Sequence, residues 1–154
     1  MVGIKRRRLS SNEYHQMIAA GIFHEDERLE LIEGELIQLS PISSDHAGVV
    51  MRLNQLLSIA LGQDYIVNVQ NPLALEDGTE PDPDLQVLCP RDDYYTTSHP
   101  TAQDVLQLIE VAKTTLDYDT HVKAALYART GIPTYWLVDL QNGCIKVHED
   151  AAEQ

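Results

Sequence analysis

The chain has 154 residues, of which 44% are hydrophobic and 23% are charged, a balance that suits one globular domain and excludes a disordered chain. No apolar run approaches the roughly 18 residues that a membrane-spanning helix needs. Polar residues follow the basic tetrad Lys5–Arg8, where a signal peptide would need an apolar stretch. The sequence therefore predicts a single cytoplasmic domain over residues 1–154 with no membrane partner.

Charge and cysteine content limit the classes of function. The net charge of −13 argues against simple binding to nucleic acid, which depends on cationic contacts to phosphate. The two cysteines, Cys89 and Cys144, lie far apart and lack a CxxC spacing, so the sequence indicates neither a zinc site nor a disulfide framework.

The N-terminal part of the chain predicts a helix and a hairpin. Ser10 followed by Glu13 is a capping-box pattern, which predicts that a helix begins there and ends near Gly21. Two short apolar segments, 28–32 and 35–39, flank a Glu-Gly pair that is typical of a tight hairpin turn.

The middle and the end of the chain alternate between helices and strands. Apolar residues at helical spacing predict a long helix over 43–61 that Gly62 terminates. A second helix should begin at Asp119 or Thr120 and continue to Arg129, before Gly131. Strands are predicted over 65–69, 73–75, 85–88, 105–111, 134–138 and 144–147, with a long loop over 89–104.

A carboxylate inside an apolar strand is the strongest chemical signal. Glu110 lies within the apolar segment 108–112, where a charge is costly unless it is paired or holds a metal. Asp84 stands just before another apolar strand, and antiparallel pairing of the two strands would bring both acids to one edge of the sheet. Two adjacent carboxylates favour a cation between them, and magnesium prefers oxygen ligands.

A lysine on the following helix could complete this site. Lys123 lies within reach of the same edge, on the side of the helix that carries Tyr127, and its ammonium could orient a water molecule or stabilise charge on phosphorus. The alternative is that Lys123 only neutralises Glu110. His46, near the start of the long helix, is either a metal ligand or a polar residue of the first helical turn.

The long loop carries a second group of candidates. Tyr94, Tyr95 and His99 could stack on nucleobases, and the alternative is that they are ordinary solvated loop residues.

Taken together, these motifs resemble a bacterial family of restriction endonuclease-like proteins within the PD-(D/E)XK nuclease superfamily. The matching segments are 30–35, His46, 80–85, 108–111, Asp119, Lys123 and 127–136. The resemblance implies that Asp84 and Glu110 are the family's two acids. It also implies that Lys123 replaces the usual strand lysine, because Ala112 occupies that position. The family usually continues beyond the last predicted strand, so this chain is either a short member or one whose end is missing.

The resemblance also implies a fold and a function. The expected fold is an α/β restriction-endonuclease-like core, with a central mixed β-sheet flanked by helices. The expected function is hydrolysis of phosphodiester bonds in DNA with Mg²⁺ or Mn²⁺. Asp84, Glu110 and His46 would bind the metal, Glu35 would be accessory, and Lys123 would be catalytic.

Three further expectations stay open at this stage. A homodimer could assemble a basic patch around the site, since two-fold dimers are the commonest symmetric assemblies. A catalytically silent domain acting in protein binding or regulation is one alternative function. A metal phosphohydrolase acting on small nucleotides is another, and it would suit the acidic surface better.

Overall fold

The computed structural model describes residues 3–149, and the chain divides into two compact units. The first unit comprises the residues up to Pro41 together with Leu75–Pro81, and the second comprises Ile42–Ala74 together with the residues from Asp82 onward. The expectation of one nuclease-like domain over 1–154 stays a prediction.

The first unit contains one helix and one hairpin. Helix α1, Ser11–Ala19, begins with the predicted capping box, in which Ser10 Oγ accepts from the Glu13 amide at 3.1 Å and a Glu13 carboxylate oxygen accepts from the Ser10 amide at 2.9 Å. Strands β1, Leu29–Ile32, and β2, Glu35–Gln38, pair antiparallel. The predictions for this part of the chain are confirmed.

The hairpin turn of the first unit depends on its sequence. Glu33 and Gly34 both have positive φ angles, 50° and 78°, as a type I′ turn requires. The Gly34 amide donates to Gly78 O at 2.7 Å, and a Cβ atom at Gly34 would collide with Arg8. The turn therefore needs glycine both for its φ angle and for the close approach of neighbouring backbone.

The second unit is built on a five-stranded sheet in the order β3-β4-β5-β6-β7. The strands are β3 Ile66–Val69, β4 Leu85–Leu88, β5 Val105–Ala112, β6 Thr134–Asp139 and β7 Cys144–Glu149. The pair β5 and β6 is parallel and the other three neighbouring pairs are antiparallel, so the sheet is mixed, as predicted.

Helices cover both faces of this sheet. Helix α2, Ser44–Leu61, packs Val50 against Leu85, Ile109 and Val111. Side chains alternate between the two faces of a strand, so Glu110 points away from α2.

The helix that connects β5 to β6 packs on the opposite face. It runs over 116–129 and is called α3 here; its three consecutive segments are Leu116–Tyr118, Asp119–Lys123 and Ala124–Arg129. The middle segment is π-helical, an irregularity often found at functional sites. This helix begins three residues earlier than the sequence predicts.

One predicted strand is wrong. Residues 73–75 form no regular strand; Ala74 makes a single bridge to Thr101, and its amide donates to Pro100 O at 2.9 Å. Pro72 immediately before this segment has no amide hydrogen and cannot extend a ladder. Within the described residues, no helix is long and apolar enough to cross a membrane.

Candidate active site

The register of β4 and β5 brings the two predicted acids together. Leu85 pairs with Ile109, so Asp84 and Glu110 are the next residues of the two strands at the same edge. The Asp84 amide donates to Glu110 Oε2 at 3.3 Å, and the Val111 amide donates to Asp84 Oδ2 at 2.8 Å. Each carboxylate thus accepts a backbone hydrogen bond from the other strand, which confirms the predicted proximity of the two acids.

Glu110 is buried and carries two further hydrogen bonds. Lys123 Nζ and the Tyr127 hydroxyl each donate to Glu110 Oε1 at 2.8 Å. The side chains of Lys123 and Glu110 are 4% and 5% exposed. A buried carboxylate needs such partners, because burial without a counter-charge would favour its neutral form.

Helix geometry explains why these two donors meet one carboxylate. Lys123 and Tyr127 are four residues apart, a spacing that places both on one face of a helix. The π-helical segment ends at Lys123, and both Asp119 and Lys123 are buried within it. The sequence indicated this arrangement, because its helical spacing places Tyr127 on the same side of the helix as Lys123.

Asp84 has its own set of partners. His46 Nε2 lies 3.1 Å from Asp84 Oδ2, and Gln70 Nε2 donates to Asp84 Oδ1 at 3.4 Å. Burial is the largest influence on the pKa of Asp84 and raises it, but the hydrogen bonds from His46, Val111 and Gln70 and the charge of His46 together lower the pKa below its ordinary value. Asp84 is therefore held as a carboxylate.

This pKa shift predicts how stability depends on pH. A carboxyl group with a lowered folded-state pKa stabilises the fold above its unfolded pKa, about 3.9 for aspartate, and loses that contribution as the pH falls through the folded-state value. We expect the difference in unfolding free energy between the wild type and Asp84→Asn to shrink as the pH falls from 5 to below about 4. Urea midpoints of both proteins over this range measure it, and a difference independent of pH down to pH 2.5 would contradict it.

A second layer of buried groups supports the site. The Tyr135 hydroxyl donates to Asp119 O at 3.1 Å, and Thr115 Oγ1 donates to Asp119 Oδ2 at 2.5 Å. Burial, followed by the negative charges of Glu110 and Asp119, raises the pKa of Tyr135 far above its ordinary value, so this phenol stays protonated. Tyr135 also packs edge-on against Tyr127 at 5.0 Å between ring centroids. The hydroxyl and the ring of Tyr135 thus hold α3 against β6.

The carboxylates at this edge of the sheet are suitable ligands for a divalent cation. Among residues 3–149, no three His, Cys, Asp or Glu side chains form a group that could hold a metal by themselves. Magnesium, however, binds through one or two carboxylates and keeps several waters. Asp84 and Glu110 meet that requirement, and the hydrogen bond that Asp84 Oδ1 accepts from Gln70 is a long one, at 3.4 Å. The pair therefore fits a hydrated magnesium ion.

The remaining predicted residues have other partners. His46 Nε2 faces Asp84 rather than solvent, and its role as a metal ligand stays a prediction. Glu35 belongs to the first unit, where it is exposed and pairs with Arg8 at 3.7 Å and Arg6 at 3.9 Å. Its accessory role also stays a prediction.

Two cationic side chains of the second unit form ion pairs with aspartates. Lys113 Nζ binds Asp45 at 2.6 Å, and Arg91 Nε binds Asp93 at 2.5 Å. The partner of Lys113 is therefore an exposed aspartate.

Gln70 is the site residue that the sequence did not indicate. It follows β3, has a φ angle of 52°, and its amide donates to Asp84 O at 3.1 Å. Its position depends on the pairing of β3 with β4, which no local pattern reveals. The only available signal was the turn that Asn71 and Pro72 predict beside it.

Comparison with known proteins bears on this geometry. Residues 11–154 match the family model described as "Uma2: Putative restriction endonuclease". The structure is similar to the crystal structure of "a putative nuclease belonging to DUF820" from Anabaena variabilis ATCC 29413. That similarity has a TM-score of 0.71 at 15% sequence identity, over 94% of this chain and 82% of the other. No curated protein matches this chain. At this identity the structural match establishes the fold, and it confirms the predicted α/β nuclease-like architecture.

Proposed function

The chain belongs to the Uma2 family, and from that premise we propose that it is a metal-dependent endonuclease that hydrolyses phosphodiester bonds in DNA. Asp84 and Glu110 would hold Mg²⁺ or Mn²⁺, and Lys123 would act on the reacting phosphate. The observation that carries the proposal is the buried contact of Lys123 with Glu110 at the sheet edge that also carries Asp84.

The chemistry of the residues supports this assignment. A divalent cation held by the two carboxylates would polarise the phosphate and lower the pKa of an attacking water. The Lys123 ammonium carries a fixed positive charge whose hydrogen bond to Glu110 limits its movement. A preorganised charge of this kind stabilises the extra negative charge that develops on a phosphoryl group under attack. Tyr127, which donates to the same oxygen, keeps Glu110 in one orientation.

The proposal is tested by cleavage of a supercoiled plasmid in Mg²⁺ or Mn²⁺. We expect the wild type to cut and EDTA to stop the reaction. Asp84→Asn and Glu110→Gln should lose cleavage and the heat of metal binding in calorimetry, because each replaces a charged ligand by a neutral amide of the same shape. Asp64→Asn, at an exposed position after α2, is the matched control and should behave as the wild type. Equal cleavage by all four proteins would refute the assignment.

A metal-dependent phosphohydrolase of small nucleotides is the second candidate. The neutralised cations favour it, since Lys113 and Arg91 both form ion pairs with aspartates and contribute less to binding of a phosphate backbone. Release of phosphate from deoxynucleotides, with no cutting of plasmid or single-stranded DNA, would support this reading instead.

A further inference from the structure

A small cavity lies beside the candidate active site in the second unit. Its volume is about 240 Å³, below the roughly 300–1,000 Å³ of pockets for drug-sized ligands, so it suits a single planar ring system. The edge strand β3 and the loop after β4 form it. Its lining includes Ile66, Asn68, Leu88, Tyr94, Tyr95 and His99.

The cavity and the candidate site share one face of the sheet. Asn68 pairs with Gln86, and Gln86 pairs with Leu108, which is two residues from Glu110 on the same strand. Side chains of paired residues point to the same face, as do those of residues two apart. Asn68 and Glu110 therefore point to the same face, two strand spacings apart across the sheet and two residues apart along it, or about 12 Å.

The aromatic wall of the cavity is held in an unusual conformation. Tyr94 and Tyr95 have φ angles of 51° and 60°, in a region of backbone conformation that residues other than glycine rarely adopt. Such strain persists where the surrounding structure enforces it, and it is common at ligand-binding sites. Tyr94 is 73% exposed, so its ring is not buried against other side chains.

The loop carries its own support for this conformation. The guanidinium of Arg91 lies 4.0 Å from the ring centroid of Tyr95, and the Tyr95 hydroxyl donates to Cys89 O at 2.7 Å. Asp93 accepts from the Tyr95 amide at 3.2 Å and from Thr97 Oγ1 at 2.6 Å. These contacts hold Tyr95 as a wall of the cavity. The ring of Tyr94 stays exposed and can stack on a ligand.

We propose that this cavity binds one unstacked nucleobase of the substrate, with Tyr94 as the stacking partner. Aromatic rings bind bases of any sequence through stacking, and amide and imidazole groups such as those of Asn68 and His99 can hydrogen-bond to base edges. The inference deepens the proposed nuclease function and rests on it. It also accounts for an acidic protein, because stacking provides affinity that does not require cationic contacts.

The test measures binding of a labelled single-stranded oligonucleotide by fluorescence anisotropy in EDTA, which prevents cleavage. We expect Tyr94→Asn to weaken binding about tenfold, within the range for one base–aromatic stack. Asparagine is chosen because it tolerates positive φ. An oligonucleotide of the same length made of abasic sites should bind the wild type and Tyr94→Asn equally weakly. Ile59→Asn, an exposed apolar residue of α2, is the control and should bind as the wild type.

A second measurement needs no variant. An oligonucleotide with one 2-aminopurine should change its fluorescence on binding the wild type, because the reporter base stacks on a ring. The deoxynucleoside monophosphate of 2-aminopurine is tested alongside. Tighter binding of the strand assigns the pocket to a strand substrate, and equal binding assigns it to a free nucleotide.

The results separate this inference from the nuclease assignment. The pocket assignment is overturned if Tyr94→Asn binds the base-containing strand as the wild type does, or if the 2-aminopurine signal is unchanged. Loss of cleavage in Asp84→Asn would still support the nuclease in that case. Base-dependent binding by a protein that cuts no DNA would overturn the nuclease assignment alone.

Discussion

Replacing Lys123 by methionine should lower cleavage per folded molecule by about 10²- to 10⁴-fold, the size of effect usual for a positioned catalytic group. Methionine has nearly the length of lysine and suits a helix, but it lacks the ammonium that contacts Glu110 at 2.8 Å. The loss should appear in kcat, because the charge is most useful when negative charge builds up on the phosphate.

The same substitution should also lower the free energy of unfolding by roughly 3 kcal/mol, because it leaves Glu110 buried with its counter-charge removed. Stability and activity therefore have to be measured on the same protein, with cleavage assayed well below the urea midpoint. Lys113→Met is the matched control, since its ion pair with Asp45 is about half exposed and worth little. A folded Lys123→Met protein that cuts at the wild-type rate would reduce Lys123 to a structural partner of Glu110.

How much of this site could be predicted from sequence depends on which interactions create it. The proximity of Asp84 and Glu110 followed from two apolar strands that each carry an acid near one end. In an antiparallel pair, the start of one strand lies beside the end of the other. The contact of Lys123 with Glu110 followed from helix spacing. These features are local patterns or a single pairing of strands, which the chain specifies within a few residues.

Other features depend on contacts between distant segments. The positive φ angles of Tyr94 and Tyr95 arise from a loop held by Asp93, and tyrosine is not a residue that usually adopts them. The π-helical turn at Asp119–Lys123 has no sequence signature either. Residues 73–75 resemble a strand, but Pro72 and the loop backbone determine their actual pairing.

The second large effect concerns the double variant Glu110→Gln/Lys123→Met. Removing the charge of Glu110 as well should restore much of the stability that Lys123→Met loses, because a neutral amide needs no buried counter-charge. We expect the double variant to be more stable than Lys123→Met by about 1–3 kcal/mol, so the losses of the two single variants are not additive, as is usual for residues in direct contact.

Urea unfolding of the wild type, both single variants and the double variant gives this coupling as a thermodynamic cycle. The Tyr127 hydroxyl can still donate to the glutamine carbonyl, so the amide is not left without a donor. Cleavage should stay lost in the double variant, since neither charge is present. Stability that recovers while activity does not would show that the buried charges serve chemistry rather than folding. Strictly additive losses would instead mean that Lys123 and Glu110 do not depend on each other, against the 2.8 Å contact between them.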